Sequence, residues 1–286
     1  TDQYKNASIL LKLIVINAVL FLAIYLASFL FGIPQGRLVS WFVLPDDPVN
    51  LIMQPWSLIT YSFLHFGVWH LVFNMLWLYW FGKIVLNLFN GKRFLTIYLL
   101  GGLFGGLFYV VAYNLFPVFI NTSGHLIGAS GAVMAIMVFI ATYSPNTEMR
   151  IFMFSIKLWQ IAAFVILLDL VQIPTSGNAG GLLAHVGGAI FGYLYATQMA
   201  KGNDIGKWFE NGMDWFTNLF KPRTKRPFKK VHRNARPTPA KPKSNKEKTA
   251  HQLKVDGILD KIGKSGYESL TKAEKDFLFN AGKEEK

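Results

Sequence analysis

Six stretches of this chain are long and apolar enough, or nearly so, to cross a bilayer as helices: Leu13–Phe31, Leu64–Phe81, Phe94–Phe116, Leu126–Tyr143, Leu158–Ile173 and Leu182–Ala200. Crossing takes about 20 mostly apolar residues, because inside lipid every backbone N–H and C=O must be bonded within the segment. Taken alone, the first stretch could be a signal peptide. Five further spans follow it without a convincing cleavage site, so it reads as a span. The chain opens at Thr1 without an initiator methionine, so a few residues are expected to precede it. Hydrophobic residues make up 52% of the 286, more than a soluble domain of that length needs; lipid can absorb the excess. There is no cysteine, which excludes disulfides, thiol nucleophiles and thiolate metal sites.

Lysine and arginine in the short loops set the expected orientation. Lys83, Lys92 and Arg93 lie between spans two and three, and Arg150 and Lys157 between spans four and five. The other side has Arg37 against Asp46 and Asp47. Both termini are therefore expected in the cytoplasm, with spans two, four and six running from outside to inside. The connection over residues 33–60 carries apolar clusters among Pro45, Pro48 and Pro55, and is expected to be a structured interfacial element.

The net charge of +13 comes mostly from beyond residue 200. Ile205, Trp208, Phe209, Phe216 and Leu219 recur at near-helical spacing, as in a helix lying on a membrane, with Gly212 as an expected interruption. Residues 221–250 form a basic, proline-interrupted run that cannot bury a core, so they are expected to be disordered and attracted to anionic lipid. The run lacks interleaved aromatics, so no nucleic-acid partner is expected. Helical patterns return at Val255–Lys264 and Lys272–Gly282, with a capping box at Thr271 and Glu274. The expected organisation is thus a core over 1–200, a juxtamembrane segment over 201–220, a linker over 221–250 and a helical module over 251–286.

Chemistry concentrates in three strings. Gly128-Ala129-Ser130-Gly131 stands at the outer end of span four. A serine in such a helix can simply bond its own backbone, but flanking glycines leave room for a substrate chain to approach the hydroxyl. Ala184-His185-Val186-Gly187-Gly188 stands at the outer end of span six, continuing to Gly192. His185, Gly188 and Gly192 share one helical face, and the two glycines invite close packing by another helix. A histidine in a span is a functional candidate by default. Counted at 1.5 Å rise per residue, Ser130 and His185 both lie within about 10 Å of the outer surface. That places an imidazole where it can take the hydroxyl proton. In the third string, His70 and Asn74 are four residues apart near the outer end of span two. Their N–H donors, with the Ser130 amide, can hold a developing oxyanion; the bland alternative is that they tie helices together. Asp169 is the one acid inside a span. It reads as interfacial, leaving a dyad without an acid and the imidazole held by packing. His65 reads as structural and His125 as a loop residue.

Other chemistries lack their residues. There is no H-E-x-x-H for a zinc protease, and a single intramembrane acid cannot form an aspartyl pair. A non-catalytic client-binding protein would be expected to lack the serine or histidine. A transporter would place its polar site near the midplane.

These strings resemble the rhomboid family of intramembrane serine proteases. The resemblance rests on P-W-S-L-I-T at 55–60, H-F-G-V-W-H-L-V-F-N-M-L-W at 65–77, G-A-S-G at 128–131 and A-H-V-G-G-A-I-F-G at 184–192. It implies an all-α membrane protein, a six-transmembrane-helix bundle, here followed by a basic tail and a small helical module. It also implies a Ser130–His185 dyad, oxyanion donors at His70, Asn74 and the Ser130 amide beside Gly128, and a water-filled cavity open to the outside. Span five and the loop 174–181 would act as a gate. No metal or cofactor is expected. The expected partners are single-span membrane substrates and lipid, in a bacterial plasma membrane, with the oligomeric state left open. Three departures stand out: Met134 where relatives often carry an aromatic under the histidine ring, Leu86 where an acid is common, and no Trp-Arg pair in the first loop. The C-terminal segment looks like a module appended to some bacterial rhomboids.

Overall fold

The computed structural model describes residues 8–120, 122–151, 153–220 and 250–281. These fall into two units, one within Thr1–Pro222 and one within Arg223–Lys286. The tail expected to be disordered, 221–250, lies outside the described residues except for its last position.

The first unit is mainly helical. Helix α1 spans Ile9–Phe31, with Ser8 as N-cap and Gly32 in the left-handed conformation closing it. The connection to the next long helix folds into α2 (Gln35–Leu38), α3 (Pro48–Met53) and α4 (Ser57–Thr60). Helix α5 covers Val68–Leu88 and α6 covers Gly91–Leu115, so the loop expected to hold Lys83, Lys92 and Arg93 shrinks to two residues. Then come α7 (Ser130–Tyr143), α8 (Leu158–Gln172), α9 (Ala179–Ala200) and α10 (Lys207–Leu219). Four helices, α1, α5, α6 and α9, are long and apolar enough to span a membrane, while α7 and α8 are shorter apolar helices of 14 and 15 residues.

The all-α expectation needs one correction. Two small antiparallel ladders are present: β1 (Leu44–Pro45) pairs with β2 (His125–Leu126), and β3 (Glu148–Ile151) pairs with β4 (Phe154–Lys157). The first joins the long early connection to the segment entering α7. The second lies between α7 and α8, where Ser144 and Thr147 share a hydroxyl hydrogen bond of 2.8 Å before the first strand.

Span four also begins later than the apolar run implies. Leu126 is extended, Gly128 has φ +122°, and helical geometry starts only at Ser130. Fourteen residues rise about 21 Å, less than the ~30 Å hydrocarbon core. A helix that stops short at membrane depth must present its open first turn to protein or to a water-filled cavity.

The core holds α7 at its centre. Its residues from Gly131 to Ala141 are buried, packed against Phe81, Phe94, Ile97, Tyr98 and Tyr195. Against α7 lies α9, joined backbone to backbone. A Cβ placed at Gly188 would collide with the Gly131 carbonyl oxygen, and one at Gly192 with the Ala135 carbonyl oxygen. Small residues permit this approach where lipid supplies no hydrophobic drive for helix association. The outward faces stay apolar and exposed, including Leu22, Phe29, Phe164, Leu167 and Val171.

At the end remote from α7's first turn, α10 docks through charge. Arg93 in the first turn of α6 donates to Asp204 and Glu210, Tyr195 donates to Asp204 at 3.0 Å, and Lys92 meets Asp214 at 2.6 Å. Glu210 is buried. The helix runs through Gly212 without interruption, and Trp208, Trp215, Phe216 and Leu219 remain exposed.

In the second unit, α11 (Ala250–Ser265) and α12 (Lys272–Ala281) are joined through Gly266 in a positive-φ conformation. Glu274 accepts the Thr271 amide at 2.7 Å, and the Thr271 hydroxyl accepts the Glu274 amide at 3.4 Å. Lys261 bonds Glu274 at 2.9 Å across the pair.

Candidate active site

The turn before α7 is built around one glycine and two histidines. Gly128 donates its amide to the Tyr61 carbonyl at 3.0 Å. A Cβ there would lie 2.6 Å from Cε1 and 2.7 Å from Nε2 of His70, so the imidazole occupies the space that only glycine leaves. His65 lies behind, its ring 5.0 Å from that of His70. Its Nε2 accepts the Ala129 amide at 3.4 Å, which puts its ring proton on Nδ1. The turn thus hands the chain to α7 with Ser130 as the first helical residue. Amides of a helix's first turn have no carbonyl four residues back, so the Ser130 N–H points out of the helix unpaired by it.

Ser130, His185, His70 and Asn74 line one cavity of about 930 Å³. They arrive on three helices: α7, α9 and α5. Asn74 is buried and donates its side-chain amide to the His70 carbonyl at 2.8 Å, so one of its two N–H groups is engaged by its own helix. Met134 and His125 also line the cavity, and Trp69, Phe73, Phe164 and Leu168 form apolar walls from α5 and α8. Gly131 lies in van der Waals range of α9, its virtual Cβ 3.2 Å from the Ala184 carbonyl. The neighbours of Ser130 and His185 are therefore in contact.

One reading from sequence is overturned. Asp169 is not interfacial: it is buried, and its Oδ2 lies 2.8 Å from Nδ1 of His185. The imidazole is consequently bonded to an acid rather than held by packing alone. With Nδ1 donating to the carboxylate, Nε2 is the nitrogen left to accept a proton. The sequence held the signal. Asp169 sits three residues from the end of α8, at a depth that matches His185 six residues into α9. The depth argument applied to the other three residues applies to it as well.

Comparison with known proteins follows this geometry. The Rhomboid domain family matches residues 53–202, and a family of unknown function, DUF6576, matches residues 242–281. Similar proteins include the human presenilin-associated rhomboid-like protein, mitochondrial, 27% identical over 169 residues that cover 57% of this chain and 42% of the relative. The Arabidopsis thaliana RHOMBOID-like protein 12, mitochondrial, is 30% identical over 158 residues, covering 51% and 47%. The rhomboid protease GlpG of Yersinia enterocolitica is 30% identical over 191 residues, covering 62% and 59%. The chain thus spans less than half the length of the mitochondrial relatives it matches. The Rhomboid match covers more than half of this chain and holds every residue of the cavity's polar cluster, and the chain belongs to the rhomboid family.

Proposed function

We propose that this multi-pass membrane protein is an intramembrane serine endopeptidase, cutting transmembrane or juxtamembrane segments of single-span membrane proteins. The observation that carries the reading is the single cavity that gathers Ser130, His185, His70 and Asn74 from three helices. Ser130 attacks the peptide carbonyl carbon through Oγ, and its proton passes to Nε2 of His185. The oxyanion rests against the Ser130 amide and the side-chain donors of His70 and Asn74. When the C–N bond breaks, His185 returns the proton to the leaving amine. Water, deprotonated by His185, then releases the acyl group and restores the serine. Substrate enters between α5 and α8, where aromatic walls meet lipid, and it must unwind locally because a helical peptide bond is shielded.

All six of α1, α5, α6, α7, α8 and α9 cross the bilayer in this reading, with both termini cytoplasmic and the cavity near the outer face. The exposed aromatics of α10 rest in the inner interface, and the basic segment over 221–250 adds attraction to anionic lipid. A bacterial plasma membrane is the expected site. The test is labelling by a fluorophosphonate probe together with cleavage of a model transmembrane substrate. Wild type should label and cleave, and Ser130→Ala should do neither while expressing and folding alike. Undiminished cleavage by that variant removes Ser130 from the mechanism.

A further inference from the structure

We infer that Asp169 is a positioning residue for His185, fixing its tautomer and stabilising the imidazolium that forms when Ser130 gives up its proton. The inference rests on the protease reading above and adds an acid to a site that the sequence presented as a dyad. The geometry comes first. Oδ2 of Asp169 and Nδ1 of His185 are 2.8 Å apart, with both side chains largely covered, at 11% and 20% exposed. An imidazole held through Nδ1 turns Nε2 toward the cavity that Ser130 lines. This is the arrangement by which a carboxylate orients a general base in soluble serine hydrolases.

The setting argues against a mere tether. Beyond Ala162, Asp169 is the one buried residue of α8; Phe164, Leu167, Leu168, Leu170 and Val171 around it are exposed. An acid inside a span is costly. If its only task were to hold α8 against α9, apolar residues would serve at least as well, because replacing a buried ion pair by packed hydrophobic groups is often neutral or stabilising. An acid on an otherwise apolar stretch, bonded to the one histidine that α9 places in the cavity, is explained by what it does to that histidine.

Side chains from three other helices surround His185. Asp169 bonds it from α8, Ser130 lines the same cavity from α7 and His70 from α5, with His65 behind His70. Among the described residues lining the cavity, His125 is the remaining titratable side chain besides His70 and His185, and none is a carboxylate or a fixed cation. Among the described residues, Asp169 is the carboxylate bonded to His185.

The experiment compares wild type, Asp169→Asn and Asp169→Glu in detergent or vesicles, measuring kcat, KM and the pH profile of kcat on a model transmembrane substrate. Asparagine keeps the size and can accept the Nδ1–H, yet carries no charge. We expect kcat to fall at least about 10-fold with KM within about 2-fold, since orientation and charge act in the transition state. The acid limb of the profile should move to lower pH, because the imidazolium has lost its counter-charge. Glutamate should recover part of kcat and move the limb back. A wild-type kcat and profile in Asp169→Asn overturn the inference. So does a loss of turnover that tracks a loss of folded protein, with the folded fraction keeping wild-type turnover and pH profile. Wild type failing to label at Ser130 is a different result: it sinks the protease reading, and this inference with it.

Discussion

His70 does two things at once: it lines the cavity, where the proposed mechanism uses it as a donor, and it fills the space beside Gly128. Truncating it should therefore affect chemistry more than binding. For one lost oxyanion donor, His70→Ala and Asn74→Ala should each lower kcat on the order of 10²–10³-fold with little change in KM. A rise in KM alone, in steady-state cleavage assays, would make the residue a substrate holder. Gly128 offers a stricter check. Alanine there meets both a positive φ and the His70 ring, a strain of about 1–3 kcal/mol. Gly128→Ala should lower the thermal midpoint in detergent and abolish probe labelling, and adding His70→Ala should restore part of the midpoint but none of the labelling. The strings around 70, 128 and 185 were legible because residue type and depth both point one way. Asp169 was harder to place, because its partner depends on how α8 is rotated about its axis, which an almost uniformly apolar helix leaves open.

Among the elements, α7 and α9 set the site's geometry through backbone contact. A methyl group at Gly188 would press on the Gly131 carbonyl, beside Ser130. Overpacking of this kind costs about 1–3 kcal/mol. Gly188→Ala should therefore lower the thermal midpoint and, by moving Ser130 relative to His185, reduce labelling; unchanged values for both would mean that the helices separate without consequence. The glycine spacing that exposes this contact is visible in sequence. The start of α7 is not, because Leu126 and Ile127 are as apolar as the helix they precede, and only the ladder with Leu44 and the turn at Gly128 exclude them from it. In the second unit the capping box was readable from Thr271 and Glu274. The Thr271 amide, then Lys261 and the Thr271 hydroxyl, hold the Glu274 carboxyl down at about 2. A lowered folded-state value contributes stability above the ordinary carboxylate range, and that stability is lost as pH falls through about 2. Hydrogen-exchange protection factors of residues 272–281 should accordingly drop between about pH 4.5 and 2, and Glu274→Gln, which loses the charge, should be less protected than wild type at pH 7. Equal protection in that variant at neutral pH would show that the box contributes nothing to the helix.

Across the whole molecule, the point at which the helical core ends is a question of charge. With the core expected over 1–200, a chain stopped after Ala200 keeps the helices that carry all three motifs, each able to satisfy its own backbone, and is expected to fold and cleave. Ion pairs nonetheless tie residues beyond Ala200 to the first turn of α6. Arg93, its side chain 13% exposed, is neutralised by Asp204 and Glu210, both beyond that stop. Removing residues 201–220 would leave its guanidinium at the core's edge without either carboxylate. A chain ending after Phe220 should match the full chain in thermal midpoint and cleavage, whereas one ending after Ala200 should melt lower. The cause can be separated from simple loss of apolar cover. In the shorter chain, Arg93→Met removes the unpaired charge while keeping a long side chain, so it should recover part of the lost midpoint. In the chain ending after Phe220 the same substitution strands Glu210, which is buried, and should lower the midpoint instead. That reversal of sign is the signature to look for in detergent melting curves. If Arg93→Met acts in the same direction in both chains, α10 is held by its aromatic face alone, and the expectation that the core is complete at Ala200 stands.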